Sequence, residues 1–169
     1  VKALCGLELG IKWVNDLFLN GKKICGILTE GCVDMESNGL SYAVVGAGFN
    51  VFPPPHGFPE QLKSIAGAIY PSKPDKAVKS LLAARFVRYM TEFYLSLPEH
   101  SFMEEYKRKS CVVGKNITFL HAGETLRGTA IEIDDDCRLT VAADDGRIMR
   151  LDCGEISISE INDYEKNCK

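Results

Sequence analysis

The pattern of hydrophobic and polar residues changes twice along the chain. Up to about Val51, short apolar runs are separated by glycines, which is typical of β-strands. From about Glu60 to Lys109, apolar residues recur every three or four positions, as on one face of a helix. From about Gly114 to Ile158, short apolar segments alternate with Gly- and Asp-rich turns, which predicts a small β-barrel or sandwich. So short a final segment offers little core, and we expect it to pack against the first part of the chain.

Two turns are predicted in the β-rich part. Asn20-Gly21 lies between two apolar strands, and this dipeptide supplies the two positive φ angles of a type I′ hairpin turn. The hairpin starts its second strand at Lys22, so Lys22 and Lys23 are expected on opposite faces. Ser37-Asn38-Gly39 predicts a second turn between two further strands.

Composition and charge exclude several classes of protein. The chain has 169 residues, of which 46% are hydrophobic, and a net charge of −3 with both signs interspersed. We therefore expect a packed core and neither a nucleic-acid partner nor a membrane span. The seven cysteines are irregularly spaced, which argues against a structural zinc site or a disulfide framework and favours a reducing cytoplasm. Because the chain opens at Val1 without Met, we expect it to be a fragment.

The densest group of candidate functional residues lies around the predicted hairpin. Lys12 and Lys23 are expected on adjoining strands, with Asn15 and Asp16 where one strand turns into the next. Gly26 would let a ligand approach the backbone. Two lysines and an acid converging on a sheet suit an anionic ligand such as an acyl phosphate. The alternative is a hairpin with a solvated lysine edge, which is common in proteins.

A second candidate is the strand that ends in Gly46-Ala47-Gly48-Phe49-Asn50. Its small residues could admit a flat ligand, and Asn50 could donate a hydrogen bond to it. It is not a dinucleotide-binding fingerprint, because the third glycine and the following helix are missing. A bulged core strand explains the same residues equally well.

Taken together, these stretches resemble the bacterial biotin protein ligases. The resemblance rests on three motifs in the family's order, Lys12–Leu17, Lys23–Glu30 and Gly46–Val51. Val14 stands where the family usually has proline. The run from Gly114 to Ser157 is similar to the family's small SH3-like domain, so the resemblance covers nearly the whole chain.

The resemblance implies a fold and a division of the chain. It implies an α+β fold with a mixed β-sheet and packed helices over residues 1–110. It also implies an SH3-like barrel with a short tail over residues 111–169. Lys23 is implied as the catalytic residue beside the biotin carboxylate and the AMP phosphate. The implied substrate-binding residues are Lys12, Asn15, Asp16, Gly26, Gly46, Gly48 and Asn50.

The resemblance also implies a reaction. Biotin and Mg-ATP form biotinyl-AMP, and biotin is then transferred to a lysine of the biotin carboxyl carrier protein, an acetyl-CoA carboxylase subunit. No protein ligand to a metal is assigned, although Mg²⁺ accompanies ATP. We expect a cytoplasmic homodimer that binds neither nucleic acid nor membrane through this segment.

One departure bears on activity. The family's glycine- and arginine-rich loop precedes these motifs and is absent from the chain, so we expect the isolated chain to be inactive. Two alternatives remain open. One is a lipoate protein ligase, which shares the fold and the Asn-Asp…Lys pattern. The other is a non-catalytic module for dimerisation or carrier docking.

Overall fold

The computed structural model describes residues 1–34, 36, 39–74 and 77–158, apart from the side chain of Pro98. The first part of the chain contains these elements: α1 (Lys2–Cys5), β1 (Gly10–Lys12), β2 (Asp16–Leu19), β3 (Lys22–Asp34), β4 (Gly39–Phe49), α2 (Val78–Ser96) and α3 (Met103–Lys109). The second part contains β5 (Asn116–His121), β6 (Glu124–Ile133), β7 (Leu139–Ala143), β8 (Ile148–Leu151) and β9 (Ile156–Ile158). Short 3₁₀ turns occupy Glu60–Leu62 and Leu97–Glu99.

The first sheet has four strands in the order β1-β2-β3-β4, and every ladder in it is antiparallel. The expected mixed sheet is therefore wrong for the described residues, because parallel pairing occurs only as isolated bridges. The Asn20-Gly21 turn is confirmed, with φ of 49° and 74°. The turn expected at Ser37 and Asn38 lies outside the described residues. Strands β3 and β4 form a long hairpin whose far half is mostly exposed.

Helix α2 covers the first sheet with only its N-terminal half. Val78 and Leu82 are buried in a core with Ile24 of β3, and Phe86 meets Phe49 edge-on with ring centroids 6.4 Å apart. Helices are confirmed over Val78–Ser96 and Met103–Lys109, whereas Glu60–Leu62 forms only a 3₁₀ turn. Phe93, further along α2, is 48% exposed. The apolar face of α2 is therefore longer than the part of the first sheet that it covers.

The second sheet has five strands in the order β8-β7-β6-β5-β9, again antiparallel. Its core is built from alternating residues of these strands, among them Ile117, Phe119, Leu139, Val141 and Ile156. Within the described part of the chain β8 and β9 are the two edges and do not pair, so a closed barrel is not found. The SH3-like assignment stays a prediction.

The two sheets share contacts through the loop between β1 and β2. Trp13 from this loop is 2% exposed and belongs to the core of the second sheet. The Cys111 backbone N–H also donates to the Ile11 carbonyl at 2.9 Å. The expectation that the last segment packs against the first part is confirmed. The division at residue 110 stays a prediction, although it falls between α3 and β5. None of the described helices has the length and hydropathy needed to span a membrane.

Candidate functional site

A cleft of about 840 Å³ opens on the first sheet and is closed on one side by the end of the second. It brings together seven of the eight predicted site residues: Lys12, Asn15, Asp16, Lys23, Gly26, Gly48 and Asn50. Gly46 lies outside this cleft and lines an adjoining open depression of about 540 Å³.

The centre of the cleft is a row of residues that crosses all four strands. Lys12 pairs with Asp16, Asp16 with Gly26, and Gly26 with Gly48. Directly opposed residues of antiparallel strands project from the same face. The row therefore places two charged side chains beside two glycines. Because glycine has no side chain, space remains there for a ligand.

Lys23 reaches this row through a β-bulge. Strict alternation along β3 would put Lys23 and Gly26 on opposite faces, but the register shifts between Leu17 and Phe18 of the facing strand. As a result the Lys23 ammonium lies 2.7 Å from an Asp16 carboxylate oxygen. A Cβ at Gly26 would come within 3.1 Å of the Lys23 Nζ, so glycine leaves room for this pair.

The backbone of Lys23 is fixed by residues 65–67, which follow the 3₁₀ turn at Glu60–Leu62. Its N–H donates to the Ile65 carbonyl at 2.7 Å, and its carbonyl accepts from the Gly67 N–H at 2.9 Å. Lys22 turns the other way and donates from its Nζ to the Lys63 carbonyl at 2.9 Å. The predicted separation of Lys22 from Lys23 is thus confirmed by their contacts.

Lys12 does not lie on a strand adjoining that of Lys23, contrary to the expectation, because β2 separates β1 from β3. Both lysines nevertheless face Asp16, which stands between them. Burial lowers the pKa of Lys12, and the nearby charge of Lys23 lowers it further, while Asp16 opposes the shift. The Lys12 Nζ also lies 5.6 Å from the centre of the Phe18 ring.

The two predicted asparagines contact β3 rather than projecting freely. The Asn15 side-chain amide donates to the Ile27 carbonyl, and the Ile27 N–H donates to the Asn15 carbonyl at 2.9 Å. The Asn50 backbone N–H donates to the Ile24 carbonyl at 2.8 Å, and its side-chain amide lies 3.5 Å from the Lys23 carbonyl. Both asparagines therefore hold the strand that carries Lys23.

Two walls of the cleft were not predicted from the sequence. One is the segment Gly154–Ile158, which includes β9 and brings the negative charge of Glu155 close enough to oppose, in small part, the lowering of the Lys12 pKa by burial. The other is an apolar wall of Leu62, Ile65 and Ala66. Neither wall has a local signal, since both reach the cleft by long-range packing. The buried Cys25 thiol also lines the cleft, and burial raises its pKa to about 11.

Comparisons with known proteins show what this chain is similar to. Residues 112–159 match the family model "Biotin protein ligase C terminal domain". The "Bifunctional ligase/repressor BirA" of Bacillus subtilis (strain 168) is 28% identical over 149 residues, which cover 86% of this chain and 45% of that protein. The "Biotin--[acetyl-CoA-carboxylase] ligase" of Mycobacterium tuberculosis (strain ATCC 25618 / H37Rv) is 27% identical over 154 residues, which cover 88% of this chain and 53% of that protein.

A solved structure shares the fold. A biotin protein ligase from Aquifex aeolicus in complex with biotin and ATP superposes with a TM-score of 0.70 at 22% identity, covering 92% of this chain and 64% of that one. The chain thus spans about half the length of the curated relatives it matches. The family model and the similar ligases together support a likeness to the C-terminal region of biotin protein ligases.

Proposed function

We propose that the protein is a biotin protein ligase, which forms biotinyl-AMP from biotin and ATP and transfers biotin to a lysine of a carboxylase carrier protein. The observation that carries the proposal is the row of Lys12, Asp16, Gly26 and Gly48 with Lys23 above it. This arrangement combines the positive charges of the lysines with accessible backbone at the two glycines, and a flat, anionic mixed anhydride requires both. The names of two similar proteins, which mention biotin, ATP and acetyl-CoA carboxylase, support the same substrates.

In the first step, a biotin carboxylate oxygen attacks the α-phosphorus of ATP, and pyrophosphate leaves with the electrons of the broken P–O bond. The Lys23 ammonium stabilises the negative charge that develops between carboxylate and phosphate. In the second step, the amine of the carrier lysine attacks the acyl carbon. AMP leaves with the electrons of the broken acyl C–O bond, and the amine nitrogen gives up a proton to water as the amide forms.

The residues present fit a Mg²⁺ ion bound mainly through the substrate. Among the described residues, no three His, Cys, Asp or Glu side chains converge as a metal cluster. Asp16 is a carboxylate in the cleft, and Mg²⁺ commonly binds one or two carboxylates together with substrate phosphates. Asp16 would hold the ion against ATP, where it would supply positive charge to neutralise the phosphates.

Of the alternatives, lipoate ligation is not favoured, since two of the similar proteins carry biotin ligase names. A purely non-catalytic docking role leaves the convergence of the charged residues on one cleft unexplained. Six described cysteines carry free thiols, which supports the proposed cytoplasmic location.

We also propose that the protein forms a homodimer. Strand β4 is an edge of the described sheet, and it carries the exposed side chains of Leu40, Tyr42 and Val44. An edge of this kind readily pairs with a second chain. Sedimentation velocity of the complete protein should show a dimer that Val44→Lys weakens; a monomer at all concentrations would contradict it.

The decisive test of the function is a pair of neighbouring lysines. In the complete protein, Lys23→Ala should reduce biotin-dependent pyrophosphate–ATP exchange by roughly 100-fold or more, because about 3 kcal/mol of transition-state stabilisation is lost. Lys22→Ala should stay within about twofold of the unmodified protein, since Lys22 does not line the cleft and its ammonium donates to the Lys63 carbonyl on the other face. Lipoate in place of biotin should support no exchange. Equal losses in the two variants would refute the proposed site.

A further inference from the structure

The loop between β1 and β2 carries Asn15 and leads directly into Asp16, and it is held from two opposite sides. On one side it is bound to β3. The Asn15 carbonyl accepts from the Ile27 N–H at 2.9 Å, and the Asn15 side chain donates back to the Ile27 carbonyl. These bonds join the loop to β3 at Ile27.

On the other side the loop is bound to parts of the chain that lie far away in sequence. The Tyr106 hydroxyl, from α3, donates to the Val14 carbonyl at 2.9 Å. The Trp13 indole N–H donates to the Cys137 carbonyl at 2.7 Å. Burial raises the pKa of Tyr106, so its phenol stays a protonated donor throughout the neutral range. The Tyr106 bond ends on the residue immediately before Asn15.

The position of this loop decides where Asp16 stands. Asp16 pairs with Lys12 on one side and Gly26 on the other, and its carboxylate meets the Lys23 ammonium at 2.7 Å. A shift of the loop by a fraction of an ångström would therefore change the distance between the Asp16 carboxylate and the Lys23 ammonium. Misplacement by about 1 Å commonly costs an enzyme on the order of 100-fold in rate.

We propose that Tyr106 is a positioning residue for the ligase reaction: its hydroxyl holds the Trp13–Asn15 loop so that Asp16 sets the Lys23 ammonium above the open row. The inference rests on the proposed function for its catalytic consequence. Helix α3, which lies outside the cleft, would thus affect the reaction through the hydrogen bond from Tyr106 to the loop. Tyr106 itself does not line the cleft.

The test is Tyr106→Phe in the complete protein, because this change keeps the ring and removes only the hydroxyl. We expect kcat for biotin-dependent pyrophosphate–ATP exchange to fall about 10- to 100-fold, with the KM for biotin changed by less than about twofold. Hydrogen exchange should accelerate at the Ile27 amide and across residues 13–16. The matched control is Tyr94→Phe, which removes a hydroxyl from a side chain 70% exposed on α2 and should alter none of these quantities.

A double-mutant comparison separates positioning from general stability. If Tyr106 acts through Asp16, then Tyr106→Phe in an Asp16→Ala background should lower the remaining rate by less than about threefold. An unchanged kcat, or an unchanged exchange rate at Ile27, would overturn the inference. A fall in kcat of equal size in both backgrounds would also overturn it. If the unmodified protein forms no adenylate, the proposed function fails and the catalytic role of Tyr106 fails with it; hydrogen exchange then still decides whether Tyr106 holds the loop.

Discussion

Lys12 is a partly buried charged residue, and the loss of water around its ammonium opposes folding. Burial lowers the pKa of Lys12 below its ordinary value of 10.5. Between the lowered pKa and 10.5 the unfolded chain binds more protons than the folded one, so the contribution of Lys12 to stability becomes less unfavourable as the pH rises. At neutral pH the charged lysine is therefore a cost to folding. A residue kept despite such a cost is typical of a binding site.

We accordingly predict opposite effects of Lys12→Met on stability and on function. The urea midpoint at pH 7 should be equal to or higher than that of the unmodified protein, and the advantage should shrink as the pH approaches 10.5. Biotinyl-AMP synthesis should fall, because one of the two positive charges facing Asp16 is lost. Lys22→Met is the control and should preserve synthesis. A Lys12→Met protein that is both clearly destabilised and fully active would refute this assignment.

At the scale of single residues, the sequence predicts only what local geometry decides. Asn20-Gly21 fixes the start of β3, and this was enough to separate Lys22 from Lys23. The β-bulge that turns Lys23 onto the face of Gly26 has no comparable signal, because it arises where β2 and β3 pair. Glu155 was missed for the same reason, since nothing beside it in sequence indicates that it approaches Lys12.

At the scale of elements, Gly48 and Gly128 both lie in strands, but only Gly128 is needed for the packing of the strands. A Cβ at Gly48 of β4 would meet no atom closer than the Gly26 carbonyl oxygen at 3.9 Å, so the fold itself does not need glycine there. A Cβ at Gly128 of β6 would lie 2.4 Å from the Ala142 carbonyl oxygen, so β6 and β7 could not keep their spacing. Gly48 lines the cleft, and we infer that the absence of a side chain at this position leaves room for the ligand.

The same substitution should therefore have different effects at the two positions. Gly128→Ala should lower the free energy of unfolding by about 2 kcal/mol or more, because the backbone of β7 must move. Gly48→Ala should leave that free energy within about 0.5 kcal/mol but weaken biotin binding. Urea unfolding and isothermal titration with biotin measure the two effects. If Gly48→Ala bound biotin normally, Gly48 would have no contact with the ligand.

Element type was predictable where the periodicity was strong, but element extent was not. The apolar face of α2 was predicted correctly, yet only its first half is buried. Strands β3 and β4 extend well beyond the apolar runs that indicated them, because pairing with each other satisfies their backbone groups irrespective of side-chain pattern. Pairing between β8 and β9, which a closed barrel needs, depends on strand ends that no local pattern specifies.

At the scale of the whole molecule, the cleft belongs to both sheets. The first sheet supplies the charged row, while the segment Gly154–Ile158 from the second closes one side. The loop before Asp16 is anchored in the second core through Trp13. The two parts, which the sequence indicated as separate units, thus share a site and a buried side chain.

This sharing predicts that the two sheets unfold together. Trp13 is the sole tryptophan of the chain, so its fluorescence reports the contact between the sheets without any label. It is 2% exposed within the second core, while the loop that carries it belongs to the first sheet. Loss of either sheet should expose the indole and shift its emission to the red. In urea, the Trp13 fluorescence transition and the far-UV circular dichroism transition should therefore coincide.

A substitution in the first core tests the coupling most sharply. Leu82→Ala removes a buried side chain that packs with Ile24 and Val51 in the core of the first sheet, and it should cost about 2–4 kcal/mol. If the sheets unfold as one unit, Leu82→Ala lowers the midpoint reported by Trp13 as much as the midpoint reported by circular dichroism. Leu95→Ala, at a side chain 75% exposed on the same helix, should move neither midpoint. A Trp13 transition that stays in place while the circular dichroism transition moves would mean that the second sheet folds independently and holds the loop without depending on the first.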